Sequence, residues 1–385
     1  MLKFKPLLNI NLAIFLIVMI SAAVFVRLPL FGFQTPDYYL GIGVWYDFIR
    51  ENGILGAFKY TFSDYNYPYL HLLSLLTLLP VHKLVAIKVL SLIFDFVIAT
   101  VAMLAVFKKY KDRVASIFAF LAVLFAPTVI INSSYWGQND AIYTAFLVIS
   151  VFLLLKNKLF LSMLFYSISF AFKLQAIFLL PLFLILLLKR KIHIKYFLLL
   201  PLVYFISGIP SLIAGKPWLE VFSIYLQQAD SYPYLALNAP TLYQWLPQDQ
   251  FAIFYPAGVA FAATLISIFI YLVYRKNINL TDDLVVKIAM ASLLLVPFLL
   301  PKMHERYFFP ADVFSIIYAF YKPKFFFIPI AMQAVSLFSY GPYLWGYMPD
   351  FPAVSLFLFI ILLIVLFDLL KDLYSPAPLP EQSKA

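Results

Sequence analysis

The chain has 385 residues, of which 64% are hydrophobic and 12% are charged, and its mean hydropathy is +0.94. A soluble domain carries about a quarter of charged residues, so this composition excludes a soluble enzyme and predicts a polytopic membrane protein. The absence of cysteine excludes disulfides, thiolate nucleophiles and thiolate metal ligands. The net charge of +10 does not indicate nucleic-acid binding, because the basic residues lie in short clusters between apolar segments.

The first apolar segment, residues 7–31, follows Lys3 and Lys5 and is long enough to cross a bilayer, which takes about 20 apolar residues. It lacks an obvious small-residue cleavage site, so we interpret it as the first transmembrane helix rather than a signal peptide. Residues 68–80 are apolar but shorter than a span, which favours a juxtamembrane or re-entrant helix and leaves a crossing open. A full span is predicted at residues 85–106.

Clusters of Lys and Arg recur along the chain, and the positive-inside rule assigns them to the cytoplasm. They lie at residues 3–5, 108–113, 156–158, 189–195, 275–276, 322–324 and 371. An even number of crossings between successive clusters predicts roughly 12 spans, with both termini cytoplasmic. Residues 1–374 would form a single all-α transmembrane bundle with outer loops at 32–66 and 215–250, and the Pro-rich residues 375–385 a disordered cytoplasmic tail.

Two short apolar segments, residues 159–172 and 174–188, predict a helical hairpin that turns within the membrane with Lys173 at its tip. A lysine in that position needs an anion or a water-filled cavity beside it. The hairpin tip is therefore a candidate functional position.

A cluster of ionisable residues follows the step Leu300-Pro301 and consists of Lys302, His304, Glu305 and Arg306. Ionisable side chains at membrane depth are costly, so such a cluster marks a functional site by default. A point charge, a titratable imidazole and a planar guanidinium together suit phosphate oxygens. The alternative is a solvated cluster of outer-loop charges without a role.

The first outer loop contributes two carboxylates. Asp37 opens an aromatic stretch expected to lie at the membrane interface, and its position suits either a helix cap or a general base for an incoming hydroxyl. Asp64, in the segment SDYNYP, suits either a turn or the same chemistry.

A polar segment, YWGQND at residues 135–140, forms the next outer loop. Trp136 taken alone is typical of an interfacial anchor. Gln138 can hydrogen-bond sugar hydroxyls. Asp140 either caps the following helix or helps to hold an acceptor. The aromatic loop at residues 215–250 suits stacking on sugar rings or on lipid.

These segments, in this order, resemble the GT-C superfamily of polytopic glycosyltransferases over nearly the whole chain. The matching segments are Asp37 in the first outer loop, SDYNYPYLHLL, YWGQND, FKLQAIFLLP and KMHERYFFP. The likeness extends to dolichyl-phosphate-glucose-dependent glucosyltransferases and to bacterial mannosyltransferase-like proteins. The chain has Tyr67-Pro68-Tyr69 where a double proline is typical and Arg306-Tyr307 in place of Lys-Ser, so the identity of the sugar does not carry over.

The resemblance implies inverting transfer of a hexose from a polyprenyl-phosphate donor to an acceptor hydroxyl, on a glycan or lipid-linked glycan, at the outer face of a prokaryotic plasma membrane. It implies Asp37 as general base and His304 at the donor phosphate. On charge grounds, Lys173, Lys302 and Arg306 join the phosphate site. The residues assigned to the sugar or acceptor are Asp64, Trp136, Gln138 and Asp140.

The expected partners are the lipid-linked donor, the acceptor and membrane lipid, without nucleic acid. No cofactor is expected, and a divalent cation shared by Asp37, Asp64 and Asp140 is the alternative. A transporter or flippase of lipid-linked sugars would also have about 12 spans with charged groups in a cavity. Transporters tend to contain repeated halves and broken midplane helices, which this sequence does not reveal, so a transferase is favoured.

Overall fold

Helices dominate the computed structural model, which describes residues 10–374 apart from the side chains of residues 229 and 230. The α-helices are α1 (Ile10–Arg27), α2 (Gly43–Asn52), α3 (Tyr67–Leu76), α4 (Lys83–Tyr110), α5 (Arg113–Leu124), α6 (Pro127–Ile130), α7 (Asp140–Leu155), α8 (Leu159–Phe172), α9 (Leu180–Leu188), α10 (Leu199–Ile213), α11 (Trp218–Phe222), α12 (Ile224–Asp230), α13 (Phe251–Tyr274), α14 (Asp282–Leu299), α15 (Phe309–Tyr321), α16 (Phe327–Trp345) and α17 (Phe351–Tyr374). Two strands, β1 (Ala236–Leu237) and β2 (Met303–His304), form the one ladder found in this part of the chain. The predicted all-α class is confirmed, while the tail at 375–385 lies outside the described residues.

Shorter helical turns connect these elements. The 3₁₀ turns are Leu28–Gly32, Gly56–Lys59, Leu174–Leu179, Ile194–Leu198, Leu242–Trp245, Gln248–Gln250, Glu305–Phe308 and Pro323–Phe325. The π-helical turns are Tyr38–Ile42 and Ile131–Trp136, and both lie beside the candidate site described below.

Six of the described helical segments are long and apolar enough to cross a membrane. They are Ile10–Gly32, Lys83–Tyr110, Ile194–Ile213, Gln248–Tyr274, Pro323–Trp345 and Phe351–Tyr374, and the bent pair of Arg113–Leu124 with Pro127–Trp136 makes a seventh if it is one span. These helices are compatible with an integral membrane protein. The count of roughly 12 spans is not confirmed, because the apolar helices Asp140–Leu155, Leu159–Phe172 and Leu174–Leu188 are shorter than a span.

The predicted spans at 7–31 and 85–106 correspond to Ile10–Gly32 and to α4, with residues 7–9 outside the described chain. Where residues 68–80 were expected to form a short helix, α3 has ten residues, fewer than a crossing requires. Buried helices α7, α14 and α15 form the centre of the bundle. Their apolar residues lie on every side, as expected of helices surrounded by other helices.

Ion pairs at one end of the bundle connect the basic loops. Lys108, in the last turn of α4, pairs with Asp282 at the start of α14. Lys109 Nζ lies 2.9 Å from Asp283 Oδ1, and Lys322 Nζ, just after α15, lies 3.0 Å from Asp283 Oδ2. The start of α7, the end of α14 and the start of α15 lie at the opposite end, and they carry the candidate site residues.

The β-ladder connects the aromatic outer loop at residues 215–250 to the segment that contains His304. β1 and β2 are parallel, with Ala236 opposite Met303 and Leu237 opposite His304. The backbone N–H of Lys302 donates to Leu235 O at 2.8 Å. The ladder therefore fixes the direction of the chain immediately before Arg306.

A buried ion pair joins α1 to α4. Arg27 Nη2 lies 3.6 Å from Asp95 Oδ2 and also donates to Leu124 O at 2.7 Å. Ser133 Oγ donates to the same Asp95 oxygen at 2.6 Å, and both charged side chains are at most 1% exposed. An unpaired charge in such surroundings is strongly destabilising. The pair therefore joins α1 and α4, and its hydrogen bonds to Leu124 and Ser133 connect both helices to the chain on either side of the bend between α5 and α6.

We expect Arg27→Met to lower the free energy of unfolding by about 3–5 kcal/mol, because it leaves Asp95 buried without its cation. Thermal denaturation of the detergent-solubilised protein measures the effect. The double variant Arg27→Met/Asp95→Asn removes both charges and should recover most of the lost stability. Equal losses in the single and double variants would contradict the role given to the pair.

Candidate functional site

The carboxylate of Asp37 is held by two donors from the segment that follows α6. Trp136 Nε1 donates to Asp37 Oδ2 at 2.8 Å, and Gln138 Nε2 donates to the same oxygen. Although Asp37 immediately precedes the helical turn Tyr38–Ile42, its side chain makes no capping hydrogen bond. The interpretation of Asp37 as a helix cap alone is therefore wrong, and its side chain is part of a tertiary cluster.

Trp136 lies at the centre of this cluster. Its side chain is 1% exposed, and its ring packs against the rings of Tyr340 and Tyr343 at centroid distances of 5.2 and 5.1 Å. The guanidinium of Arg306 lies 5.5 Å from the centre of the same ring. The interpretation of Trp136 as an interfacial anchor is wrong, because the indole is buried and connects Arg306 with Asp37.

The local backbone explains why these side chains converge. Residues Ile131–Trp136 form a π-helical turn that ends at Gly137, whose φ of 80° favours glycine. The N–H of Gln138 then donates to Asn132 O at 2.8 Å, and Ser91 Oγ donates to Gln138 O at 2.6 Å. The backbone of Gln138 is thus fixed by hydrogen bonds to Asn132 and Ser91, and its side-chain amide is oriented toward Asp37.

Lys88 in α4 connects the two segments that meet in the cluster. Its side chain is buried, and its ammonium donates to Leu30 O at 2.9 Å, Phe33 O at 2.7 Å and Tyr135 O at 3.0 Å. Two of these carbonyls precede Asp37 and the third precedes Trp136. Lys88 therefore determines how closely the two segments approach each other.

Asp140 begins α7 and is fully buried between two cations. Lys173 Nζ donates to Asp140 Oδ1 at 2.5 Å, and Arg306 Nε lies 3.7 Å from Asp140 Oδ2. Asn132 Nδ2 donates to Oδ2 at 2.9 Å. Asn139 occupies the N-cap position without a side-chain capping bond, so the interpretation of Asp140 as a cap is wrong. Lys173 follows α8 and has the anion that its position requires.

Arg306 retains unused hydrogen-bond donors. Its Nη1 donates to Glu305 Oε1 at 2.9 Å. Its Nε is buried without a hydrogen-bond acceptor, and within residues 10–374 its Nη2 donates no hydrogen bond. A buried donor without an acceptor is costly. Arg306 is therefore well suited to bind an oxyanion.

His304 contributes an uncharged imidazole. Its ring packs against Tyr232 and Tyr307 at 5.6 and 5.1 Å, and its Nδ1 lies 3.9 Å from Glu305 Oε2. Burial, together with the positive charges of Arg306 and Lys173, lowers the pKa of His304 to about 3. At neutral pH the positive charge of the cluster is therefore carried by Arg306 and Lys173.

Two of the predicted residues lie at the edge of the cluster. Asp64 is exposed, and its carboxylate is within electrostatic range of Arg306 and Lys173. The ammonium of Lys302 lies over the rings of Phe251 and Tyr255, at 5.7 and 5.5 Å, and thus toward the start of α13. The residues in direct mutual contact are Asp37, Trp136, Gln138, Asp140, Lys173, Glu305 and Arg306.

Three further contributors were not predicted from the sequence. Tyr65 donates through its hydroxyl to Gln138 Oε1 at 3.4 Å, and the Lys173 ammonium lies 5.4 Å from its ring centre. Tyr343 stacks on Trp136 and lies beside Asp37. The third is Lys88, described above. Its importance could have been recognised in the sequence, because it is a lone lysine within an apolar span.

The predicted carboxylates do not form a shared cation site. Among residues 10–374, no three His, Cys, Asp or Glu side chains lie in a group that could hold a metal ion. Asp140 is instead paired with Lys173, and Asp37 is bound by Trp136 and Gln138.

No family model matches this chain, and no curated protein matches it. The site is therefore interpreted through its own geometry and charges.

The lowered pKa of His304 predicts a pH-dependent stability. The unfolded state binds a proton near pH 6.5 and the folded state only near pH 3, so stability conferred by His304 is lost as the pH falls from about 6.5 toward 3. We expect the parent protein to lose more thermal stability between pH 7 and pH 4 than His304→Gln does. The exposed His193→Gln serves as the control and should behave as the parent. Equal losses in the parent and His304→Gln would contradict the burial of a neutral imidazole.

Proposed function

We propose that this chain is a membrane glycosyltransferase of the GT-C type, which moves a hexose from a polyprenyl-phosphate donor to an acceptor hydroxyl with inversion. One observation supports this proposal most directly. A carboxylate, Asp37, and two cations, Lys173 and Arg306, come from three distant segments and lie in one cluster, at the end of the bundle opposite the basic loops. A base and phosphate-binding cations are the groups that displacement of a lipid phosphate requires.

Asp37 is the general base of the proposed reaction. The acceptor oxygen attacks the anomeric carbon as its proton passes to Asp37, and the bond between that carbon and the donor phosphate oxygen breaks with its electron pair going to the phosphate. Trp136 and Gln138 both donate to Oδ2. We therefore assign proton acceptance to Oδ1, with the two donors holding the carboxylate in position.

The phosphate end of the site already contains carboxylates. Lys173 pairs with Asp140, and Arg306 lies beside both Asp140 and Glu305. An incoming phosphate therefore has to take over cation contacts that carboxylates now make. The unpaired donors of Arg306 provide the first contact, and burial, which raises the pKa of Glu305 against the opposing effect of Arg306, favours release of that carboxylate in its neutral form.

The proposed topology places this site outside the cytoplasm. If α7, α8, α14, α15 and the segment Leu174–Leu188 each cross together with the seven longer segments, the chain has the twelve spans that its basic clusters predict. The basic loops and both termini are then cytoplasmic, and Asp37 faces the extracytoplasmic side. A donor lipid would enter laterally between helices and leave its sugar beside Asp37.

We expect Asp37→Asn to reduce sugar transfer by about 10²–10⁴-fold, because an amide preserves the shape of the side chain but cannot accept the proton. The assay uses the purified protein in detergent with polyprenyl-phosphate mannose or glucose and a total lipid extract of the source organism as acceptor. Asp249→Asn is the control and should transfer as the parent does, because this exposed carboxylate of the loop at residues 215–250 has no part in the Trp136 and Gln138 contacts. Retained transfer in Asp37→Asn would contradict the base assignment. Transport without transfer by the parent protein would contradict the function.

We expect Arg306→Gln to weaken product inhibition by polyprenyl phosphate about tenfold or more, since hydrogen bonds to charged groups contribute about 1.5–3 kcal/mol. Lys302→Gln is the matched control, because the ammonium of Lys302 lies over the rings of α13 and should contribute less. The inhibition constant of polyprenyl phosphate is measured for each variant. An unchanged constant in Arg306→Gln, or a larger effect in Lys302→Gln, would contradict the placement of the phosphate.

A further inference from the structure

An open cavity of about 450 Å³ lies at the basic end of the bundle, far along the helices from Asp37. Its walls are mainly apolar and its rim is charged, and it lies between α17 and the turn Pro323–Phe325. The residues that line it are Lys324, Phe325, Ile360, Leu363, Ile364, Phe367, Asp368 and Lys371. An apolar groove with a cationic rim has the chemistry that accommodates an acyl chain and an anionic head group.

The one carboxylate at this rim is already neutralised. Lys287 Nζ lies 2.7 Å from Asp368 Oδ2, with both side chains at most 2% exposed, and Tyr318 donates to the same oxygen at 2.8 Å. Lys324 Nζ lies 3.2 Å from Asp368 Oδ1 but is 60% exposed. Lys371 is exposed and forms no ion pair with any residue from 10 to 374. Asp372, one turn beyond Asp368, lies 2.6 Å from Lys287 Nζ and 3.8 Å from Lys322 Nζ, so it is paired with cations outside the rim. Lys324 and Lys371 therefore present a net positive charge to the outside of the groove.

The groove faces the bilayer rather than the interior of the protein. Ile360, Leu363 and Phe367, on one side of α17, are 45%, 47% and 71% exposed. Large apolar side chains exposed on a helix that is long enough to span a membrane face lipid. The lysines of the rim lie among the basic loops, at the depth where head groups of anionic lipids are found.

We propose that this groove binds one anionic phospholipid, with its phosphate between Lys324 and Lys371 and one acyl chain along α17. The charge of the rim favours an anionic over a zwitterionic head group, because the latter brings a cation of its own. A lipid bound there covers the exposed side of α17 next to the buried pair of Lys287 and Asp368. The bound lipid thus stabilises the packing of α17 against α14. This site is independent of the proposed transfer reaction.

Native mass spectrometry of the full chain in detergent, with palmitoyl-oleoyl phosphatidylglycerol or phosphatidylcholine added, tests the proposal. We expect phosphatidylglycerol to bind more tightly than phosphatidylcholine. Lys371→Gln should weaken its binding about fivefold, the value of roughly one basic residue near an anionic lipid. The matched control is Lys158→Gln, which removes an exposed lysine from the same end of the bundle but away from the groove.

A second variant tests the groove itself without removing a charge. Leu363→Trp fills the space beside α17 and should weaken phosphatidylglycerol binding, while the exposed position tolerates the larger ring. Equal binding of both lipids, equal effects of Lys371→Gln and Lys158→Gln, or unchanged binding in Leu363→Trp would each overturn the proposal. Polyprenyl phosphate that displaces phosphatidylglycerol and is itself sensitive to Leu363→Trp would assign the groove to the donor lipid and would also overturn it.

Discussion

A charged side chain buried among apolar helices is costly unless it is paired, and this constraint determines how the bundle is assembled. Three pairs illustrate it. Arg27 with Asp95 joins α1 to α4, Lys173 with Asp140 joins the end of α8 to the start of α7, and Lys287 with Asp368 joins α14 to α17. Each pair connects helices that are apolar over most of their surface and would otherwise pack with little specificity. The candidate site is the place where several such contacts meet.

Trp136 gives that site its organisation. One buried side chain donates to Asp37, lies against the guanidinium of Arg306 and packs on two tyrosines of α16. Asp37 and Arg306 are therefore held relative to each other through a rigid ring. Lys88 stabilises the same arrangement, because its ammonium donates to three backbone carbonyls and so fixes the segments on which Asp37 and Trp136 lie. Preorganisation of this kind reduces the reorganisation needed when charge develops in a reaction.

The sequence predicted the helical class, the break between two short helical segments at Lys173 and the side of the bundle shared by Asp37, Asp140 and Arg306, because hydropathy and the basic clusters carry that information. The predicted hairpin is wrong, because α8 packs on α7 and α10 whereas α9 packs on α13 and α14. It could not decide whether Asp37 and Asp140 were caps, since their partners, Trp136 and Lys173, lie 99 and 33 positions away. The neutral state of His304 depends on tertiary burial. The span count was not recoverable from length, because the central helices are shielded by other helices and are shorter than a lipid-exposed span.

A structure of the full chain with a non-hydrolysable phosphonate analogue of a polyprenyl-phosphate hexose tests the central claim, that one site combines Asp37 with the phosphate-binding cations. We expect the phosphonate oxygens within hydrogen-bonding distance of Arg306 and Lys173 and the anomeric carbon facing Asp37 Oδ1. Analogue bound only at the basic end, or bound beside Arg306 with its sugar directed away from Asp37, would contradict it.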